Sequence, residues 1–211
     1  MNSRTWHIPI KVWFPPDDRL ATIMAQLCVL REDLYLELEG LKEDVIEPLD
    51  HNGANYRWIY FFRNSMKTLF EIRSVVQHLK GQEIFMKQLA KQRDFHSAFK
   101  AFDKAMTKSR DLVGRLRHET SGHLDEEAFN SALKQVSCDT KELFQAGNTP
   151  KTSHYKFCLE FLGAIFLRKA DKDHKEEWRD IQKTTADVSF KAIEAIDMLF
   201  MAYVEQRGFP Y

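Results

Sequence analysis

The apolar residues of this chain recur every three or four positions over long stretches, and that spacing does most to narrow the folds open to it. Leu20, Ile23, Leu27, Leu30, Leu34 and Leu38 share one face of a helix. Trp178, Ile181, Thr185, Val188, Ala192, Ala195, Leu199 and Ala202 do the same over 173–206. A third series runs through Tyr56, Ile59, Phe62, Met66, Leu69, Ile72, Val76 and Leu79. Tyr60, Phe61 and Phe70 make that helix apolar over more than half its circumference, which predicts the most buried helix of the fold. Shorter patterns predict helices over 82–92, 94–118, 125–136 and 153–170. No run alternates with period two between turn signals, so no sheet is expected beyond a short pairing of the N-terminal arm. The class that follows is all-α: an antiparallel helical bundle of about six helices.

Glycine and proline punctuate this pattern at Gly40, Pro48, Gly53, Gly81 and Gly122, and Ala146-Gly-Asn-Thr-Pro-Lys is the clearest irregular segment. Residues 1–17 read as an arm extended by Pro9, Pro15 and Pro16, with Trp13 and Phe14 docking it into a groove of the body or of a second subunit. Asp17 or Asp18 then caps the first long helix. No Ser/Gly or Pro-rich linker divides the remainder, so 18–211 reads as one domain with a single core.

Lysine plus arginine equals aspartate plus glutamate at 31 each, which argues against a strongly basic, non-specific nucleic-acid binder. The charges are nevertheless segregated. Asp17 to Asp50 holds ten acids against three bases, whereas Lys104, Lys108, Arg110, Arg115 and Arg117 are opposed only by Asp111. Cys28, Cys138 and Cys158 are odd in number and far apart, without a CxxC, so neither a disulfide framework nor a cysteine-rich zinc site is expected. The opening residues lack a signal-peptide apolar run. The longest apolar stretch, Phe157 to Leu167, is interrupted by Glu160 and is too short to span a bilayer. The expectation is a cytoplasmic protein with no membrane partner.

The most chemically pointed stretch is Leu112-Val-Gly-Arg-Leu-Arg-His-Glu-Thr-Ser-Gly-His-Leu124. Each residue of Arg117 to His123 has a structural use: cations favour a helix C-terminus, and Gly122 suits a left-handed cap. A metal site of HExxH type does not fit, because His118 and His123 are five apart, roughly 140° round an α-helix, rather than four. Neither GxxxxGK[ST] nor GxGxxG occurs, so no nucleotide cofactor is indicated. Metal-free phosphate chemistry does fit. Arginine grips phosphate oxygens and offsets charge building on them, histidine moves a proton near neutral pH, and RNA supplies its own nucleophile in the 2′-hydroxyl.

At these residues the sequence resembles the HEPN superfamily, whose signature is an arginine, a polar neighbour and a histidine after four to six intervening positions, at a helix junction of an all-α bundle. Arg117 matches the arginine, His118 the polar neighbour and His123 the histidine. The resemblance implies a metal-independent endoribonuclease without cofactors, often in defence or toxin–antitoxin settings with an antitoxin protein partner. It implies His123 as general acid and base, Arg117 as phosphate binder and His118 as assistant. It also implies a homodimer whose two motifs face one RNA cleft, with Lys104, Lys108, Arg110 and Arg115 contacting the RNA backbone. Some members of the superfamily bind without cutting. A second reading from another class is a non-catalytic helical scaffold that assembles through the aromatic arm and the last helix.

Overall fold

The three-and-four spacing becomes helix along most of the chain. The computed structural model describes residues 9–41, 51–122, 126–135, 144–145, 154–155, 162, 165–166 and 174–208. Its helices are α1 (Ile10–Trp13), α2 (Arg19–Gly40), α3 (His51–Lys80), α4 (Glu83–Leu89), α5 (Arg93–Lys108), α6 (Arg110–Leu116), α7 (Glu126–Gln135) and α8 (His174–Gln206). A π-helical segment, Arg117–Gly122, follows α6 directly. Leu162, Ile165 and Phe166 are also helical. The described residues are all-α apart from one antiparallel pairing, β1 (Phe144–Gln145) with β2 (His154–Tyr155), in register Phe144 to Tyr155 and Gln145 to His154. That pairing departs from the helix expected over 153–170, and strands of two residues are too short to carry an alternating pattern. Expectations for Asp125, Val136, Cys138, Cys158 and the 146–151 loop fall outside the described residues.

Contacts gather into two compact units. One comprises Met1–Tyr35, Thr68–Ser109 and Asp187–Tyr211; the other comprises Leu36–Lys67 and Arg110–Ala186. α2, α3 and α8 each contribute residues to both units, so no break in the chain separates the two.

In the first unit the expected extended arm contains a helical turn. Pro9 sits at its start, where a missing N–H costs nothing, and its carbonyl accepts from Val12 and Trp13 at 2.9 and 3.1 Å. The arm does dock. Trp13 is buried, Phe14 stacks on Tyr203 at 6.0 Å between centroids, and the Tyr203 hydroxyl donates to the Trp13 carbonyl. Asp18 is the residue that caps α2, its Oδ1 accepting from the Ala21 N–H at 3.0 Å. Its other oxygen accepts from Arg207, beyond the end of α8, and Arg31 grips Asp197 with Nε and Nη2 at 3.0 and 3.2 Å. These two pairs set α2 and α8 antiparallel. Ala21, Ile23, Met24, Leu27 and Leu34 form the buried face of α2. Cys28 lies beside it, its thiol pushed up to about 11 by burial and by Asp197 and Glu32.

The second unit is built round rings. Phe62 meets Trp58 at 5.1 Å, Phe166 at 5.5 Å and Trp178 at 5.6 Å, an arrangement worth ~0.5–1.5 kcal/mol per pair beyond area burial. Trp58 contacts Trp178, and Thr185 donates to the Met66 sulfur, so α3 and α8 run in the same direction here. Ala128, Ala132 and Ile165 form a smaller apolar cluster, with Phe129 against it. Among the described residues, no helix is long and apolar enough to cross a membrane.

Gly40, the last residue of α2, packs directly under a ring. A Cβ there would stand 2.7 Å from the Phe61 ring. Alanine's better helix propensity is worth about 1 kcal/mol, while forcing a methyl group into a packed ring costs ~1–3 kcal/mol. Gly40→Ala is therefore expected to lower the urea midpoint; a raised midpoint would mean that the ring swings aside freely.

The Asp18 carboxyl gives a pH test. Burial raises its pKa, but the Ala21 N–H and the Arg207 guanidinium together outweigh that and hold it below the ordinary 3.8. A lowered folded-state pKa contributes stability that is complete above the ordinary value and lost as pH falls through the folded one. Urea midpoints of Asp18→Asn should therefore lie below wild type at neutral pH. The two proteins should converge once the pH drops below the folded value.

Candidate functional site

The motif lies in the second unit, on the π-helical segment, and two arginines and a threonine fix that segment. α6 buries Val113 and Leu116 and carries Arg115 half-buried on its flank. A single helix was expected over 94–118. The structure breaks it at Ser109, whose hydroxyl donates to the Ala105 carbonyl at 2.7 Å and competes for a helical acceptor. Beyond Leu116 the hydrogen-bond step lengthens from four residues to five, a form found mostly as single turns and frequently at functional sites. The Thr120 hydroxyl, fully buried, donates to the Leu116 carbonyl at 2.6 Å. The Thr120 carbonyl in turn accepts from Arg63 Nε on α3 at 2.5 Å. The Arg115 guanidinium donates to the carbonyls of Ile165 and Phe166 at 3.3 and 3.4 Å, and to buried Glu119 at 3.4 Å.

On this braced turn Arg117 is half-buried and His118 exposed. Their side chains meet, Arg117 Nη1 lying 3.4 Å from His118 Nδ1. Adjacent residues on an α-helix do not face one another. A guanidinium only donates, so in a hydrogen bond between the two Nδ1 is the acceptor. At 3.4 Å the bond is long and weak. The pair offers a fixed positive charge beside an imidazole with an edge open to solvent, a combination suited to an oxyanion whose neighbour must gain or lose a proton.

His123, the third motif residue, lies outside the described residues. Lys104 and Lys108 are exposed on α5 in the first unit, and Arg110 is exposed at the start of α6 in the second. Arg115 is half-buried, and its guanidinium is occupied by the carbonyls and carboxylate just named. Residues 117–122 are π-helical, so the 140° of an α-helix does not describe them; the interval of five rather than four residues between His118 and His123 is independent of that geometry. Among the described residues, no three His, Cys, Asp or Glu side chains gather as a metal site. No local sequence pattern marks the meeting of Arg63 with Thr120 or the burial of Glu119.

Comparison with protein-family models, with curated proteins and with solved structures gives no match to this chain.

The brace can be tested without any activity. Removing a charged donor from a buried carbonyl costs ~1–3 kcal/mol. In Arg63→Ala, amide exchange in 117–122 should accelerate by about tenfold or more while the rings of the Phe62 cluster keep their near-ultraviolet signature. Unchanged exchange would show that the turn stands without Arg63.

Proposed function

We propose that the chain is a HEPN-like, metal-independent endoribonuclease. The observation that carries this reading is the Arg117–His118 side-chain contact on a braced π turn, with the imidazole exposed. In the proposed reaction the RNA 2′-oxygen attacks the adjacent phosphorus as a base removes its proton. The P–O bond to the 5′-oxygen breaks, and that oxygen takes a proton from an acid. The products are a 2′,3′-cyclic phosphate and a 5′-hydroxyl. Arg117 holds the phosphate and offsets charge in the transition state. His123 is the proposed general acid and base, and His118 assists by orienting the guanidinium. Lys104, Lys108 and Arg110, being exposed, are the proposed backbone contacts. Arg115 drops out of that set because its guanidinium serves the protein's own carbonyls. The proposal extends to a homodimer with two motifs at one cleft, and to a toxin–antitoxin role with a protein antitoxin.

The non-catalytic scaffold draws support from the same turn: Arg115, Glu119 and Thr120 are all engaged in local packing. The arm lends it less, since Trp13 and Phe14 dock on their own α8.

The deciding experiment is incubation of mixed-sequence RNA with wild type, Arg117→Ala, His118→Ala and His123→Ala, all with EDTA present. Cutting by wild type should fall about a hundredfold or more in Arg117→Ala and His123→Ala at unchanged helicity, and less in His118→Ala. Folded wild type that leaves varied RNAs intact sinks the catalytic reading in favour of the scaffold.

A further inference from the structure

Helix α5 has two unlike faces. Phe99, Phe102 and Met106 are buried on one of them. With 3.6 residues per turn, Arg93, Ser97, Lys100, Lys104, Thr107 and Lys108 fall within a sector of about 100° on the opposite side, and all six are exposed. That sector holds four cations and no acid. The two acids of α5 lie about a quarter turn to either side, and one of them, Asp103, is taken by Lys80 at 2.6 Å. Lys100, Lys104 and Lys108 follow one another at about 6 Å of helix rise, and the row from Arg93 spans about 22 Å.

Six bases elsewhere, Arg31, Lys80, Lys87, Arg115, Lys191 and Arg207, each have a carboxylate partner. Others, such as Lys67, Lys91 and Lys183, have no carboxylate partner among the described residues and stand apart from one another on other helices or turns. Among the described residues, none of the four α5 cations has a carboxylate partner either. In a molecule with equal numbers of acids and bases, a straight row of unneutralised cations is a local departure rather than a consequence of composition. Flexible side chains at one-turn intervals, with only serine and threonine between, suit a linear polyanion read by charge, since phosphate contacts need no sequence-dependent groups.

We infer that the outer face of α5 is a binding surface for the phosphate backbone of single-stranded RNA, with Arg93, Lys100, Lys104 and Lys108 as its contacts. The choice of RNA rests on the proposed function; the row itself does not. Arg93 and Lys100 join it although the basic segment noted in the sequence starts only at Lys104. Recognition here is by charge, so binding should be indifferent to base sequence and strongly dependent on salt.

The test uses a fluorescent 2′-O-methyl RNA of mixed sequence, which lacks the attacking hydroxyl and so reports binding alone. Anisotropy titrations of the full chain from about 50 to 200 mM salt should give a slope of log affinity against log salt near −3, the value for four contacts to a single strand. Lys100→Gln/Lys104→Gln should lower the slope to about −1.5. Lys67→Gln/Lys183→Gln removes the same charge at exposed positions off α5 and should leave the slope as it was. An unchanged slope in the α5 variant, or an equal loss in the control, overturns the surface and leaves the nuclease reading standing. An α5 variant that alters self-association in sedimentation while binding RNA normally overturns it too, in favour of an acidic face of a second copy. Wild type that does not bind overturns both. Salt-dependent binding through α5, with unmodified RNA left uncut, keeps the surface and removes the catalytic reading.

Discussion

The structure depends on one buried row along α8. Ile181, Thr185, Val188, Ala192, Ala195, Ile196, Leu199, Ala202 and Tyr203 are all nearly or fully shielded from solvent. They extend over most of a helix of 33 residues, about 50 Å long. A helix of that length is not held by its own propensity; it persists because one face is packed throughout. The row changes character on the way. In the second unit it carries Trp178 and Thr185 against the rings and the sulfur of α3. In the first unit, alanines at 192, 195 and 202 leave room for neighbours to approach closely. Substitution there would overpack a close contact rather than open a cavity.

Apolar burial of this kind does not choose where along α8 each neighbour stops. Polar contacts do that in the first unit. Asp18 meets Arg207, the Trp13 carbonyl meets Tyr203, Gln92 meets Glu205 at 2.7 Å, and Arg31 meets Asp197. Three of the four lie within the last turn of α8 or just past it, so the arm, the start of α2 and the start of α5 are referenced to one point. The Tyr203–Trp13 bond is buried, while the other three contacts are partly or fully exposed, where an ion pair is worth ~0–1 kcal/mol. Their joint effect is on register: a slip of α2 by one turn would separate both of its ion pairs at once. Arg207 does two jobs, since it also lies 5.1 Å above the Tyr203 ring.

What the sequence showed of this follows from how far each signal reaches. The long helices were legible because a three-and-four pattern repeats many times and leaves little alternative. The break at Ser109 was not, because Phe99, Phe102, Met106, Val113 and Leu116 keep the apolar rhythm across it, and a serine bonded to its own helix looks like any other. The turn at Ile10–Trp13 was hidden by Pro9, which is compatible with extended chain and with a helix start alike. Arg117 and His118 could be found because they form a local motif. The brace beneath them could not: Arg63 is 57 residues from Thr120, and Arg115 is 50 from Ile165. A contact over that distance leaves no local pattern, and Arg115 in particular reads as one more cation in a basic run.

The π turn ties the structural and chemical readings of the motif together. An α-helical ending would have accounted for every residue of Arg117-His-Glu-Thr-Ser-Gly through dipole and capping effects alone. A wider turn is a costlier choice, and it is uncommon unless something holds it. Here two guanidiniums and a threonine hydroxyl spend their hydrogen bonds on backbone carbonyls around it, which satisfies polar groups that would otherwise be buried unpaired. Within this turn the Arg117 and His118 side chains come to 3.4 Å of one another. The brace is built from residues remote in sequence, and it holds the turn on which an arginine lies against an imidazole.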